Sequence, residues 1–271
     1  WTYLSYGLSK FTILLMTAVL ARLLSQSEFG IVGFAVTSVS ILDAVRDLGL
    51  GLALIQRRER VEEAANTAFW LNIGSNTIVW LVAILISPLV AEFFHEPQIT
   101  QILPVLSFSF VLSSLGGTHD ALLQREMQFS RRIIPAVGES LVKAVISISI
   151  ALAGGGVWAL VVGQVVGRGT FTAIVWRVLP WRPRFEFDIQ IARELFSFGY
   201  RIAIDGFLST LQANIDYVFI GRFLGDAALG LYTVAFRIPE LVIINLCVVI
   251  AQVLFPAYAD LEGRVSTASI A

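Results

Sequence analysis

Long apolar stretches separated by short polar breaks run along the whole chain. Each stretch has about 20 residues or more, the length that an α-helix needs to cross the hydrocarbon core of a bilayer. The breaks contain the Arg, Gly and Pro residues that interrupt or flank such helices. The pattern predicts eight membrane-spanning helices, at residues 4–24, 29–55, 67–94, 100–124, 132–153, 157–179, 196–222 and 227–256.

The longest break follows the sixth apolar segment. It begins with Trp181-Arg182-Pro183-Arg184, a basic and aromatic stretch that suits the lipid headgroup region. Residues 187–198 then favour either a short amphipathic helix on the cytoplasmic face or a plain loop. The apolar side of that helix would hold Ile189, Ala192, Leu195 and Phe196.

A short repeat joins two distant parts of the chain at an offset of 200 residues. Residues 21–30 align without gaps on residues 221–230, and Arg22, Leu24 and Gly30 recur as Arg222, Leu224 and Gly230. A duplicated helical hairpin is typical of two-lobed transporters, although a chance similarity between apolar segments is the alternative. With the long break, the repeat predicts a six-helix first lobe at residues 1–182. Residues 183–271 would form a cytoplasmic linker and the first two helices of a second lobe.

The composition agrees with a membrane protein and excludes several other classes. Charged residues make up 14% of the chain, against about 25% in soluble domains. The net charge of −1 argues against a nucleic-acid partner. With one Cys and two His, the sequence predicts neither an intrachain disulfide nor a metal site. No cofactor and no catalytic motif is predicted, so we expect a protein that is not an enzyme.

The orientation follows from the distribution of Arg among the breaks. Ten Arg residues lie in or close to the breaks after the second, fourth and sixth segments, and two lie close to the alternate breaks. Cytoplasmic loops are enriched in Lys and Arg, so this alternation predicts a cytoplasmic N-terminus. The chain starts at Trp1 without an initiator Met or a signal-peptide pattern, and we expect it to be an internal piece of a longer protein.

Ionisable residues inside the apolar segments are the main candidates for function, because a charge at bilayer depth is energetically unfavourable. Helical spacing gathers them on single faces, which must point at other helices or at a wet cavity. The cations are predicted to bind an anionic headgroup, and they are Lys10, Arg46, Lys143, Arg168 and Arg237. The carboxylates are predicted to neutralise these cations or to couple transport to ions, and they are Asp43, Asp47, Glu139, Asp205 and Asp216.

Structural alternatives exist for several of these residues. One alternative is that carboxylates and cations of the same segment pair with each other, because their spacing brings them together on one helix face. It applies to residues 43, 46 and 47 of the second segment and to residues 139 and 143 of the fifth. Arg201 is placed to reach the cytoplasmic surface. Gly163 and Gly167 form a Gly-x-x-x-Gly pattern that predicts a close helix contact.

Several local motifs resemble Wzx-type polysaccharide flippases of the multidrug/oligosaccharidyl-lipid/polysaccharide (MOP) exporter superfamily, especially the branch similar to colanic acid exporters. The resemblance covers nearly the whole chain. It is carried by Ala21-Arg22-Leu23-Leu24, Phe29-Gly30, Asp47-Leu48-Gly49-Leu50-Gly51, Ala53-Leu54-Ile55-Gln56, Asn66-Thr67-Ala68-Phe69-Trp70, Gly156-Val157-Trp158-Ala159-Leu160-Val161, Trp181-Arg182-Pro183, Ile220-Gly221-Arg222-Phe223-Leu224, Ala228-Leu229-Gly230-Leu231-Tyr232 and Leu254-Phe255-Pro256-Ala257.

The resemblance implies an all-α, polytopic membrane protein with a two-lobed helical bundle of the MOP and MATE type. It implies transport of undecaprenyl-diphosphate-linked oligosaccharides across the bacterial inner membrane, through alternating access of a cationic cavity. The implied partners are this lipid-linked substrate, membrane lipids and the machinery for polysaccharide polymerisation and export. An ion-coupled multidrug or small-molecule exporter of the same superfamily is the alternative. A membrane sugar polymerase or ligase is disfavoured, because the predicted periplasmic loops are short.

Overall fold

The computed structural model describes residues 2–46, 49–57 and 59–239. Within these ranges, the side chains of residues 2–10, 45, 201–202 and 237–239 lie outside the description. The described residues form helices and contain no strand. The helices are α1 (Thr2–Leu23), α2 (Gln26–Arg46), α3 (Leu50–Gln56), α4 (Val61–Phe94), α5 (Ile99–Arg125), α6 (Phe129–Leu152), α7 (Trp158–Val178), α8 (Ile189–Leu224) and α9 (Asp226–Pro239).

Five of the described helices are long and apolar enough to cross a membrane, namely α2, α4, α5, α6 and α7. The apolar surface of α4 faces outward, where Leu85 is 76% exposed and Leu89 is 65% exposed. Such a surface is stable in contact with lipid and unstable in contact with water. The predicted all-helical, multi-pass membrane architecture is confirmed, whereas the number of eight spans stays a prediction.

The second predicted segment is not one continuous helix. The sequence predicts a helix over residues 29–55, but α2 ends at Arg46 and α3 starts at Leu50. Gly49 between them has a φ of 64°, in the left-handed region that glycine adopts readily. Its Cα is also so close to Gly199 of α8 that an added Cβ would lie 2.8 Å from the Gly199 Cα. The hydropathy pattern missed this break because the residues after it are apolar again.

The linker after α7 leads into one long helix and not into a short surface helix or a loop. Asp188 caps the start of α8, where its carboxylate accepts hydrogen bonds from the backbone N–H groups of Gln190 (2.8 Å) and Ile191 (3.2 Å). No proline interrupts the chain from there to Leu224, so the predicted amphipathic stretch and the seventh segment form a single helix.

The first turns of α8 pack against other helices through one of their faces. Ile191 and Leu195 are buried with residues of α3, α4 and α5 in one apolar cluster. Ile189 and Phe196, which were predicted on the same apolar face, are 73% and 52% exposed. The start of α8 is therefore oriented by the face that holds Ile191 and Leu195, which other helices bury.

The described residues up to Leu231 belong to one compact unit, and those from Tyr232 onward belong to a second. Within the first unit, α4 packs along α5 and α6 packs along α7. The turn between α6 and α7 lies in the predicted Gly154-Gly155-Gly156 break, where Gly154 and Gly156 have φ values of 80° and 51°. The lobe boundary between residues 182 and 183 stays a prediction.

Candidate functional site

Four polar side chains meet between α6 and α7, near the middle of both helices; we call them the α6–α7 polar cluster. Arg168 Nη1 of α7 lies 3.3 Å from Glu139 Oε2 of α6. One turn away, Lys143 Nζ of α6 donates a hydrogen bond to Gln164 Oε1 of α7. Glu139 and Lys143 share a helix face, as the sequence predicts, and both make contacts across to α7.

Two glycines of α7 allow the helices to come close enough for these contacts. A Cβ atom added at Gly167 would lie 3.0 Å from Lys143 Cβ and 3.2 Å from the carbonyl oxygen of Glu139. One added at Gly163 would overlap the Ser147 hydroxyl and lie 3.1 Å from the Lys143 carbonyl oxygen. The close contact predicted from the Gly-x-x-x-Gly pattern is therefore confirmed.

The charged pair of this cluster is only partly covered by the described residues. The side chain of Arg168 is 31% exposed and that of Glu139 is 23% exposed. The Arg168 guanidinium carbon also lies 5.5 Å from the centre of the Phe171 ring. Because a guanidinium has five N–H donors, Arg168 can bind Glu139 and a second anion at the same time.

A second polar group, the Arg46 group, lies where α2, α4 and α5 meet. Arg46 binds the Asp43 carboxylate of its own helix and donates a 2.8 Å hydrogen bond to Asn76 Oδ1 of α4. Its guanidinium carbon lies 4.9 Å from the centre of the Phe110 ring of α5. Asp47, the third charged residue of the predicted set, lies outside the described residues.

The sequence did not identify Asn76 or Phe110 as partners of Arg46. Asn76 is buried and also donates a 2.8 Å hydrogen bond to the Asn72 carbonyl oxygen. A signal for it was present, because Asn72 and Asn76 lie one turn apart in an otherwise apolar segment. No comparable signal exists for Phe110, since aromatic residues are common throughout these helices.

The remaining candidates are placed less completely. On α8, Asp205 is exposed and Asp216 is half-buried. The side chains of Lys10, Arg201 and Arg237 lie outside the description. The structure thus brings Lys143, Arg168 and Glu139 together and places Arg46 with Asp43 on a different helix, α2. That all these residues line one cavity stays a prediction.

Ion pairs fasten the start of α8 to the break between α3 and α4. Arg60 Nη2 lies 2.8 Å from Asp188 Oδ2, and Arg57 Nη1 lies 2.9 Å from Glu194 Oε2 of α8. The backbone N–H of Ile191 and the Arg60 guanidinium lower the pKa of Asp188 below its ordinary value. These contacts hold α8 in place at the end of the protein where the basic breaks lie.

Comparison with known proteins places this architecture in a family. A family model described as "Polysaccharide biosynthesis protein" matches residues 19–267. The teichuronic acid biosynthesis protein TuaB of Bacillus subtilis (strain 168) is 28% identical over 262 residues, which are 96% of this chain and 54% of TuaB. The chain spans about half the length of the curated relatives it matches.

Two further relatives agree with this family. The lipopolysaccharide biosynthesis protein WzxC of Escherichia coli (strain K12) is 26% identical, over 92% of this chain and 51% of WzxC. The succinoglycan biosynthesis transport protein ExoT of Rhizobium meliloti (strain 1021) is 29% identical, over 96% of this chain and 53% of ExoT.

Solved structures with a similar fold are multidrug transporters. The MATE multidrug transporter DinF-BH matches with a TM-score of 0.73 and 12% identity, over 89% of this chain and 59% of that chain. An inward-facing MATE family transporter of the MOP superfamily matches with a TM-score of 0.62 and 16% identity, over 89% of this chain and 61% of that chain. At these identities the likeness concerns the fold alone.

Proposed function

Since this chain belongs to the polysaccharide biosynthesis protein family, we propose that it moves an undecaprenyl-diphosphate-linked oligosaccharide across the bacterial inner membrane. The observation that carries the proposal is the alignment of nearly the whole chain with TuaB, WzxC and ExoT. These relatives are named for the biosynthesis of teichuronic acid, lipopolysaccharide and succinoglycan, and ExoT is named a transport protein. The movement would run from the cytoplasmic to the periplasmic leaflet.

The α6–α7 polar cluster has the chemistry that a diphosphate headgroup requires. Arg168 is the eleventh of the 21 residues of α7, so it lies near mid-membrane if α7 crosses the bilayer. An arginine at that depth is unfavourable by at least about 2.5–3.5 kcal/mol unless protein or water solvates it. With Lys143 one turn away, it would bind phosphate oxygens through charge-assisted hydrogen bonds.

Glu139 gives this site a means of release. In the described state its carboxylate binds Arg168 at 3.3 Å, where it competes with any incoming phosphate. If a proton or a metal cation bound Glu139, the Arg168 guanidinium would be free to bind the substrate. When that proton or cation left, Glu139 would compete again for Arg168 and favour release of the substrate. The other proposed coupling carboxylates are Asp43, Asp47, Asp205 and Asp216.

The remaining parts of the proposal concern topology and partners. We place the N-terminus and the breaks that follow α3, α5 and α7 in the cytoplasm, because ten Arg residues lie in these breaks or near the helix ends that flank them. We divide the chain into a first lobe at residues 1–182 and the beginning of a second at 183–271. The protein would act without a catalytic step of its own. It would deliver the lipid-linked oligosaccharide to the machinery that polymerises and exports the polysaccharide.

Complementation tests the function. The complete protein is produced in strains that lack a polysaccharide flippase, and surface polysaccharide is measured together with lipid-linked repeats held in the inner leaflet. We expect restored polysaccharide in at least one cognate strain, and its loss with Arg168→Ala. The control is Arg131→Ala, because Arg131 is exposed and hydrogen-bonds only the nearby Gln128 among the described residues. Drug resistance without restoration in any strain would support the exporter alternative instead.

Cysteine labelling tests the orientation independently. Cysteines at Arg58 or Arg184 should resist a membrane-impermeant maleimide in intact cells, whereas a cysteine at Gly154 should react. The native Cys247 is replaced by Ser in all variants. The opposite labelling pattern would overturn the proposed orientation. The transport proposal would then still be decided by the complementation experiment.

A further inference from the structure

The two copies of the sequence repeat contact each other in the folded protein. Residues 21–30 contain the junction between α1 and α2, and residues 221–230 contain the junction between α8 and α9. A methyl group added at Gly30 would overlap the carbonyl oxygen of Asp226. One added at Gly230 would overlap the carbonyl oxygen of Gln26 and lie 2.9 Å from the Gly30 nitrogen.

These contacts are reciprocal. Gln26 and Asp226 are equivalent positions of the repeat, and so are Gly30 and Gly230. The glycine of each copy therefore faces the first helical residue of the other copy. Two related surfaces that contact each other in this way define a local two-fold axis, as in a symmetric dimer interface.

A hydrogen bond reinforces the contact on one side. The Ser27 hydroxyl donates to the Asp226 carboxylate, and this bond lowers the pKa of Asp226. The equivalent of Ser27 in the second copy is Ala227, which has no hydroxyl, so the bond has no counterpart across the axis. The contact thus combines close backbone approach at both glycines with one side-chain bond.

Neighbouring aromatic and basic residues close the same end of the bundle. The Phe34 ring lies over Gly221, where an added Cβ would be 2.8 Å from Phe34 Cδ1 and 3.3 Å from Phe94 Cε1. Arg222 Nη1 lies 3.5 Å from His95 Nδ1 in the break between α4 and α5. All these junctions lie at the end opposite the breaks that are rich in Arg.

We propose that Gly30, Gly230, Ser27 and Asp226 form a reversible latch that closes the non-basic end of the protein between its two repeated hairpins. The inference rests on the proposed transport function, because a bulky sugar headgroup requires this end to open. The latch itself consists of short backbone contacts and one side-chain bond. It can close only while both glycines lack a side chain.

Disulfide trapping tests whether the latch must open. Ser27→Cys and Asp226→Cys are combined with Cys247→Ser in the complete protein, and a protease site is inserted at the exposed Gly154. After oxidation the two proteolytic fragments should stay joined until a reductant is added. Transport should stop on oxidation and return on reduction.

The matched control links two helices within the predicted first lobe. An added Cβ at Gly116 of α5 lies 3.4 Å from the Cα of Thr172 of α7, so Gly116→Cys with Thr172→Cys should also form a disulfide. This cross-link should leave transport running. Full transport by the oxidised Ser27/Asp226 variant would overturn the latch, and so would a failure of that pair to cross-link while the control pair does.

Steric substitution tests the reciprocity without requiring transport. Gly30→Leu and Gly230→Leu should each raise, several-fold and to a similar extent, the rate at which an impermeant maleimide labels Ser27→Cys. Gly74→Leu is the control, because nothing lies within 4 Å of a Cβ at that helical glycine. Unchanged labelling, or an effect of only one of the two glycines, would contradict the latch. Failure of the wild-type protein to restore polysaccharide would instead count against the proposed function.

Discussion

Two arginines inside the apolar helices have contrasting surroundings. Arg46 lies in the last turn of α2, where a cation is stabilised by the helix dipole, and its side chain is 18% exposed. It binds a carboxylate three residues earlier and a buried amide oxygen on α4. Arg168 lies at the middle of α7, is 31% exposed, and binds a carboxylate on another helix.

We interpret this difference as one between a structural role for Arg46 and a binding role for Arg168. Arg46 has partners on two helices and lies at a helix end, so its contacts hold α2, α4 and α5 together. Arg168 has a partner that can be displaced and lies where an unsatisfied charge is least favourable. We therefore expect Arg168 to act mainly on transport and Arg46 mainly on stability.

Replacement of Arg168 should have the largest effect on transport. Arg168→Ala removes charge-assisted hydrogen bonds worth about 1.5–3 kcal/mol, which corresponds to a loss of about 10–100-fold. Arg168→Lys should retain part of the activity, because it keeps the charge but not the fork of donors. Transport is measured at equal amounts of membrane-inserted protein. Wild-type transport by Arg168→Ala would remove this residue from the binding site.

Replacement of Arg46 should lower stability more than transport. Arg46→Ala leaves Asn76 Oδ1 without its charged donor and should lower the free energy of unfolding by about 1.5–3 kcal/mol. The measurement is thermal unfolding of the purified protein in detergent. An Arg46→Ala protein that is as stable as wild type but inactive would break the comparison and assign Arg46 to the binding site.

Widening the contact between α6 and α7 should have the smallest effect. Gly167→Ala places a methyl group 3.0 Å from Lys143 Cβ, and such overpacking typically costs about 1–3 kcal/mol. We expect a partial loss of transport, because Arg168 and Glu139 move apart. Gly169→Ala is the control, since its nearest neighbour would be Leu112 Cδ1 at an ordinary 3.8 Å. If the two substitutions had equal effects, the close contact at Gly167 would not determine the geometry of the α6–α7 polar cluster.

The sequence predicted the class of fold because membrane-spanning helices follow directly from length and hydropathy. The all-helical, MATE-like membrane fold, the family resemblance and the break at residues 154–156 are confirmed. The continuous helix over residues 29–55 was wrong, because hydropathy does not register a left-handed Gly49 between two apolar stretches. The separate amphipathic helix at 187–198 was wrong as well, since nothing in the chain terminates α8 there.

The candidate site could be predicted only in part, for a geometric reason. Helical spacing shows which residues share a face of one helix, and it gathered Glu139 with Lys143 on that basis. It cannot show how far each helix is rotated against its neighbour, so the pairing of Glu139 with Arg168 and the contact of Arg46 with Asn76 were not predictable. The role of these residues in transport stays a prediction.

The most direct test of the central claim is the binding of undecaprenyl diphosphate to the purified complete protein in lipid nanodiscs, measured by calorimetric titration. Wild type, Arg168→Ala and Arg46→Ala are compared under the same conditions. We predict that Arg168→Ala raises the Kd by about 10–100-fold, whereas Arg46→Ala leaves the Kd unchanged. An unchanged Kd for Arg168→Ala, or an equal loss of affinity in both variants, would contradict the account.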